Sequence, residues 1–221
     1  MMIEPVEKII LETRLRVWVA CSAGGSGILA HAMVGKHDGD YMESRGTALA
    51  FAHSVLYKIG LSSSHKDLPT PQILVNTAAE VINDPEHVYL LCTIWRCLPE
   101  GVEICSVGTN SVLVFEGDSI REVITPHSVS AILQSQGRQS NDPKYGMYTT
   151  HALGHRNGCS MEDVRIARIP LLSTTTIAII ADRRLADDII QHAVSQNELP
   201  SFIESWDSPG KRIRTSVLIS L

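Results

Sequence analysis

The feature that most constrains the fold is a run of four short segments in the middle of the chain, rich in β-branched and aromatic residues. Turn sequences separate them, at Pro99-Glu100-Gly101, Gly108-Thr109-Asn110 and Glu116-Gly117-Asp118. β-branched and aromatic side chains favour strands, and short polar connections join antiparallel neighbours. The pattern therefore predicts an antiparallel meander with strands at residues 88–95, 102–107, 111–115 and 120–124.

Helices are predicted before this meander. Apolar residues between Glu43 and Ile59 recur on one helical face, and Gly60 follows as a stop. Thr70 is the expected N-cap of a second helix, because Pro71 suits a first helical position, where its missing N–H needs no partner. The other predicted elements are strands at 15–20, 28–34, 164–170, 176–181 and 215–221 and helices at 129–134 and 185–194. Together they indicate a layered α+β domain.

Length and composition limit the class of protein. A chain of 221 residues with 44% hydrophobic and 19% charged residues is typical of one globular domain, so we predict a single domain over residues 1–221. The net charge of −5, with scattered lysines and arginines, argues against a nucleic-acid partner. The charged N-terminus and the short apolar runs argue against a signal peptide and a membrane partner. Five cysteines without CxxC spacing predict free buried thiols in the cytoplasm.

Three segments, in order, resemble the metal-dependent 2C-type (PPM-type) protein serine/threonine phosphatases. Residues 105–128 are similar to A-x-V-G-D-S-R-A-x-L-x-R-x-G followed by Q-L-T-x-D-H-S, residues 149–155 to T-R-A-L-G, and residues 177–185 to L-L-L-C-S-D-G-L. The resemblance spans nearly the whole chain. It implies an α+β fold with two antiparallel β-sheets in a central sandwich, flanked by helices in four αββα layers.

The resemblance also implies two Mg²⁺ or Mn²⁺ ions at one end of the sandwich. Their bridging water would attack the phosphorus of phosphoserine or phosphothreonine, and hard cations of this kind need several carboxylate ligands. At the family's metal-binding positions, however, this sequence departs from the pattern. The aligned residues are Ser26 at the early aspartate, Lys36 at the D-G-x-x-G turn, Thr109 in the G-D-S turn, Asp182-Arg183 at the later D-G and Arg212 at the final D-N-x-T.

Of four expected metal carboxylates, only Asp182 remains in frame. Since each close charge contact contributes ~1–4 kcal/mol, losing roughly three negative charges and adding positive ones predicts that the dinuclear site is lost. We therefore expect a catalytically inactive pseudophosphatase with no cofactor. It would act as a binding or regulatory module for a protein partner, such as a phosphoprotein or a kinase.

The basic residues at these positions have two interpretations. Lys36, Arg183 and Arg212, with Arg184 and Arg214, would gather at the former metal end and bind a phosphate or an acidic peptide. Alternatively, they are solvated surface charges.

An active Mn- or Mg-dependent phosphatase with a shifted metal site is the main alternative. A register two residues later places Asp38-Gly39 on the family's D-G, so that Asp38 would bridge the metals and the Gly39 carbonyl would bind one. Asp182, together with Asp40 and Asp207, would complete the ligands. The same Asp-Gly pair also forms polar turns readily.

An unrelated cysteine or serine hydrolase is a further alternative, but the chain has no G-x-S-x-G motif. His31 falls within a predicted strand and His53 within a predicted helix, where core or surface roles are expected. His127 matches a family position with a structural role.

Overall fold

The computed structural model describes residues 6–13, 16–23, 25–34, 41–62, 69–83, 87–117, 119–138, 145, 148–154, 159–170, 175–206 and 216–220. Within them, ten strands and five helices are defined. The strands are β1 (Val6–Thr13), β2 (Arg16–Ala23), β3 (Ser26–Val34), β4 (Val88–Leu98), β5 (Gly101–Val107), β6 (Ser111–Glu116), β7 (Ser119–Ile124), β8 (Arg165–Pro170), β9 (Thr175–Ile180) and β10 (Ser216–Ser220). The helices are α1 (Tyr41–Ser62), α2 (Thr70–Val81), α3 (Val129–Ser135), α4 (Arg183–Gln191) and α5 (Leu199–Ser205).

The strands form two antiparallel sheets. The larger has the order β1-β2-β3-β4-β5-β8, and the smaller has the order β10-β9-β6-β7. The predicted meander is therefore wrong in one respect, because β5 and β6 belong to different sheets. The chain crosses between them at Gly108, whose φ of +112° favours glycine. A Cβ at Gly108 would lie 2.8 Å from the Cβ of Leu91, so close packing also requires glycine here.

Three groups of buried apolar residues confirm the predicted four layers. The first, which includes Phe51 of α1 and Ile94 of β4, joins α1 and α2 to the outer face of the larger sheet. The second, which includes Leu91 and Ile179, fills the space between the sheets. The third, which includes Leu185 of α4, joins α4 and α5 to the outer face of the smaller sheet. Central strands such as β4 and β6 thus alternate their side chains between two apolar layers.

Two predicted helix boundaries are corrected. Helix α1 continues through Gly60, which was expected to end it. Thr70 is the first residue of α2 rather than its N-cap, and Pro69 occupies the cap position. The Thr70 hydroxyl instead donates a hydrogen bond to the buried carboxylate of Glu103, 2.7 Å away. Among the described helices, none combines the length and the apolar character needed to cross a bilayer.

The five cysteines are free thiols, as predicted. Four are buried, and Cys97 on β4 is exposed. The Gly25 turn between β2 and β3 is a strand-to-strand connection with a positive φ. It is therefore a hairpin turn and not a phosphate-binding loop.

Candidate functional site

The structure describes fewer than half of the predicted site residues. Thr109, Asp182, Arg183 and Ser26 lie within the described ranges. The others fall in residues 35–40 and 207–215, outside the described residues, so their expected roles stay predictions. These residues are Lys36, Asp38, Gly39, Asp40, Asp207, Arg212 and Arg214.

Two of the predicted positions meet at one end of the smaller sheet. Ser111, which follows the Gly108-Thr109-Asn110 turn, pairs with Ile180, which precedes Asp182 by two residues. Since neighbouring antiparallel strands bring the start of one beside the end of the other, the Thr109 turn and Asp182 lie close together. The structure thus brings together the turns that align with the family's G-D-S and D-G.

Ser26 does not belong to this end of the molecule. Strand β3 begins at Ser26, and its His31 pairs with Leu91, the residue on which Gly108 packs. Five residues of β3 separate Ser26 from the level of Leu91, about 17 Å at ~3.3 Å per residue. Ser26 also lies in the hairpin opposite Ala23. The described strands therefore do not place Ser26 beside the Thr109 turn and Asp182.

Asp182, the one aspartate in frame, caps helix α4. Its carboxylate accepts hydrogen bonds from the backbone N–H of Arg184 at 3.0 Å and from the Arg184 guanidinium at 3.2 and 2.8 Å. An aspartate at this position satisfies an N–H group that has no partner within the helix. The residue is 9% exposed. Both carboxylate oxygens are therefore already engaged, and a metal ion bound to them would stand beside the Arg184 guanidinium.

Arg183, at the position of the family's glycine, is buried in an ion-pair network. Its guanidinium pairs with Glu122 on β7 and with Asp187 of α4, the latter at 2.7 Å. It also donates to Ser111 at 3.3 Å and to Gln134 at 3.4 Å. Two carboxylates balance its charge, which argues against the predicted anion-binding role and against a solvated surface charge.

Burial raises the pKa of Asp187 despite the opposing effect of Arg183. Desolvation disfavours the ionised carboxylate more than the neighbouring cation favours it. The spacing of Arg183 and Asp187, four residues apart on a helix, was visible in the sequence. Glu122 is distant in the sequence, and only the fold brings it to Arg183.

The Thr109-Asn110 turn is tied into the sandwich by hydroxyl and amide groups. The Asn110 side-chain amide donates to the Thr93 hydroxyl at 2.9 Å, and Thr93 shares a 2.7 Å hydrogen bond with Ser106. Thr109 and Asn110 are both buried. Both side chains are uncharged, so they supply little of the negative charge that a divalent cation requires.

His127 supports the same turn, in agreement with the predicted structural role. Its backbone N–H donates to the Gly108 carbonyl at 2.7 Å, and the Gly108 N–H points at its Nδ1 at 3.3 Å. Arg165 Nε lies 3.1 Å from the other ring nitrogen. Burial, and then the charge of Arg165, lower the pKa of His127 to about 4. The ring is therefore neutral at pH 7, and it accepts a hydrogen bond at only one nitrogen at a time.

The described residues do not fit a dinuclear metal centre. No group of three or more His, Cys, Asp or Glu side chains within them lies close enough to hold a metal ion. Hard cations of the Mg²⁺ and Mn²⁺ class need several oxygen ligands with negative charge. Asp182 supplies one carboxylate, and Arg184 already occupies it.

Comparison with known proteins identifies the fold. No protein-family model matches the sequence, and no curated protein matches it. Among solved structures, the PPM Ser-Thr phosphatase MsPP from Mycobacterium smegmatis aligns with a TM-score of 0.61 at 11% identity, over 95% of this chain and 88% of that chain. The catalytic domain of the phosphatase PstP, solved with two manganese ions, aligns with a TM-score of 0.59 at 12% identity, over 92% and 85%.

A Stage II Sporulation E family protein from Thermanaerovibrio acidaminovorans also aligns, with a TM-score of 0.54 at 14% identity, over 98% of this chain and all of that one. At these identities the comparison shows the fold. The chain has the fold of the PPM-type protein phosphatases, as the three sequence segments predicted.

Proposed function

We propose that this chain is a catalytically inactive pseudophosphatase, a binding or regulatory module built on the PPM-type phosphatase fold. The observation that carries the proposal is the state of Asp182. The carboxylate that aligns with a metal ligand of the family is buried as a helix cap and paired with Arg184. It contributes to the local structure without an ion.

Electrostatics favours this proposal over a metal-dependent enzyme. A divalent ion bound to Asp182 would stand beside the Arg184 guanidinium. Charges of +2 and +1 at ~5 Å repel by roughly 6 kcal/mol at an effective dielectric constant of about 20. A metal site with several carboxylates could offset that cost, but the neighbouring turn supplies Thr109 and Asn110 instead.

The partner in this proposal is a cytoplasmic phosphoprotein, or the kinase that modifies it. The support is the fold, which is that of serine/threonine phosphatases. Arg183 is neutralised within the protein, so recognition of a phosphate would depend on Lys36 and Arg212, which lie outside the described residues.

Calorimetric titration with MnCl₂ and MgCl₂, combined with an assay of p-nitrophenyl phosphate hydrolysis, tests the loss of catalysis. We expect no binding in the micromolar range and no metal-dependent turnover. Micromolar binding at two sites, with turnover lost in both Asp38→Ala and Asp182→Ala, would instead establish the shifted-site phosphatase. Glu162→Ala is the control for Asp182→Ala, because it removes an exposed carboxylate outside α4 and its cap.

The binding half of the proposal needs a separate measurement. Fluorescence anisotropy with phosphothreonine peptides and their unphosphorylated counterparts, both in EDTA, would show whether phosphate recognition occurs without metal. We expect the phosphorylated peptides to bind more tightly and Lys36→Ala or Arg212→Ala to weaken them. Equal binding of both peptide forms would remove the phosphoprotein from the proposal.

A further inference from the structure

The outward face of helix α1 is unusual for a helix exposed to solvent. Its exposed positions recur at alternating spacings of three and four residues, the pattern of a helix–helix seam. An exposed helical face normally carries charged side chains. On this face only the first residue is an acid or a strong base. The positions are Glu43, Gly46, Ala50, His53, Tyr57 and Gly60.

Two further observations indicate that another surface covers this face. Tyr57 is 68% exposed, the highest value among the large hydrophobic side chains in the described part of the chain. A Cβ at Gly46 would meet nothing within 4 Å, so no contact within the chain requires glycine there. Glycine in a helix interior is unfavourable relative to alanine. A helix that approaches closely at Gly46 and packs on Tyr57 accounts for both.

We infer that α1 packs against α1 of a second copy of this chain, antiparallel and about a two-fold axis. If the axis passes between residues 51 and 52, Tyr57 of one copy lies opposite Gly46 of the other. In the same register His53 lies opposite Ala50, and Gly60 lies opposite Glu43. Every large side chain of the seam thus meets a small one, so the seam is complementary to itself, as a two-fold interface requires.

The charges along α1 agree with a second copy as the occupant. Of the half-buried residues of α1, those nearest the seam are uncharged, namely Thr47, Leu49 and Ser54. The two charged ones, Arg45 and Lys58, lie farther round the helix, and Lys58 pairs with Glu80 of α2. No like charges face each other, because Glu43 lies opposite glycine. Antiparallel packing also places each helix N-terminus beside the C-terminus of the other, where their dipoles attract. A strongly charged partner would find no complementary charge in this seam.

The oligomeric state of the full chain tests the inference. Light scattering after size-exclusion chromatography at about 100 μM should give a dimer, and Gly46→Lys should raise its dissociation constant about tenfold or more. Lysine favours helix more than glycine, so this variant should remain folded. Ala79→Lys, at an exposed position of α2, is the control and should leave the dimer unchanged. A monomeric protein, or a dimer that Gly46→Lys does not weaken, would overturn the inference.

Disulfide cross-linking tests the register, in a Cys97→Ser background that removes the exposed native thiol. A mixture of the Gly46→Cys and Tyr57→Cys proteins should form an interchain disulfide under mild oxidation. Neither should cross-link alone, because two copies of residue 46 would lie about 16 Å apart along the helices at ~1.5 Å per residue. Cross-linking of Gly46→Cys alone, or none in the mixture, would contradict the antiparallel arrangement.

Discussion

Asp182 and Arg184 are joined by two kinds of contact at the start of α4, since the Asp182 carboxylate is both the helix cap and the ion-pair partner of Arg184. The Asp182 carboxylate accepts from the Arg184 backbone and from two nitrogens of its guanidinium. The guanidinium carbon lies 5.8 Å from the centroid of the Trp206 ring, within reach of a cation–π contact. The residue that sequence comparison predicts as a residual metal ligand is therefore held by its own helix.

Replacing Asp182 should lower the stability of the fold by the same amount whether or not metal ions are present. Asp182→Ala removes the cap and leaves Arg184 without its carboxylate, so we expect the free energy of unfolding to fall by about 1–3 kcal/mol. Asp182→Asn keeps an oxygen that accepts from the Arg184 N–H, so its free energy of unfolding should fall less than that of Asp182→Ala. Urea denaturation at pH 7, with EDTA or with MnCl₂, measures both. If the Asn variant were as unstable as the Ala variant, the cap would contribute nothing.

Arg183 should be more important for stability than Arg184, because it is buried between two carboxylates. Arg183→Leu would leave Glu122 and Asp187 without their cation, and removing one partner of a buried ion pair costs roughly 3–5 kcal/mol. Adding Glu122→Gln should recover part of that loss, which denaturation of the single and double variants would reveal. A single variant as stable as the native protein would contradict the network.

The loss of stability caused by Arg183→Leu should also depend on pH. Burial raises the pKa of Asp187, and removing the cation that opposes this effect should raise it further. A carboxyl group with a raised folded pKa binds a proton more readily in the folded state, so its unfavourable contribution grows as pH rises through that pKa. The variant should therefore be closer to native stability at about pH 5 than at about pH 8. A difference that grew on acidification would exclude this explanation.

Local residue patterns predicted most of the helices and strands. The three segments that resemble the phosphatase family predicted the fold. Neither source located every strand. β1 was not predicted, because charged residues such as Glu7 and Lys8 interrupt its apolar pattern. Helix α5 has seven residues, too few for helical periodicity to be clear, yet Leu199 and Ile203 pack into the outer core. Tertiary packing stabilises both elements where the local pattern is weak.

The site was predicted only as far as individual residues. The sequence indicated that Asp182 survives and that arginine follows it, but it offered Asp182 only as a residual metal-ligand candidate and not as a helix cap. Its pairing with Arg184 depends on where α4 begins, and a helix start is uncertain in sequence by a few residues. The Arg183–Glu122 pair could not be predicted, because it depends on the strand order of the smaller sheet and on where α4 begins.

The crossing between the sheets should be sensitive to any side chain at Gly108. Gly108→Ala combines a positive φ of +112° with a close contact to Leu91, so we expect a loss of about 2–4 kcal/mol or failure to fold. Gly117→Ala is the comparison, since its φ of +61° lies in the left-handed region that other residues can adopt and its Cβ would meet nothing within 4 Å. Its free energy of unfolding should fall by only about 1 kcal/mol. Equal losses would mean that neither the φ of +112° nor the packing on Leu91 makes glycine necessary at position 108.

The neutral state of His127 predicts that the fold loses stability in mild acid. The pKa of His127 is about 4 in the folded protein, against an ordinary value near 6.5. Between these two values the unfolded chain binds a proton that the folded protein does not, so stability falls as pH decreases from about 6.5 to about 4. The full shift would correspond to about 3 kcal/mol, and solvent screening reduces our expectation to roughly 2 kcal/mol.

Comparing His127→Asn with the native protein isolates this contribution. Asparagine offers an acceptor near the Gly108 N–H but does not titrate, so the variant should lose less stability than the native protein between about pH 7 and about pH 5. His192→Asn removes an exposed histidine and is the control for the exchange of histidine by asparagine. Urea denaturation across this range measures all three proteins. Parallel curves for His127→Asn and the native protein would mean that His127 is protonated in the folded state as readily as in the unfolded chain.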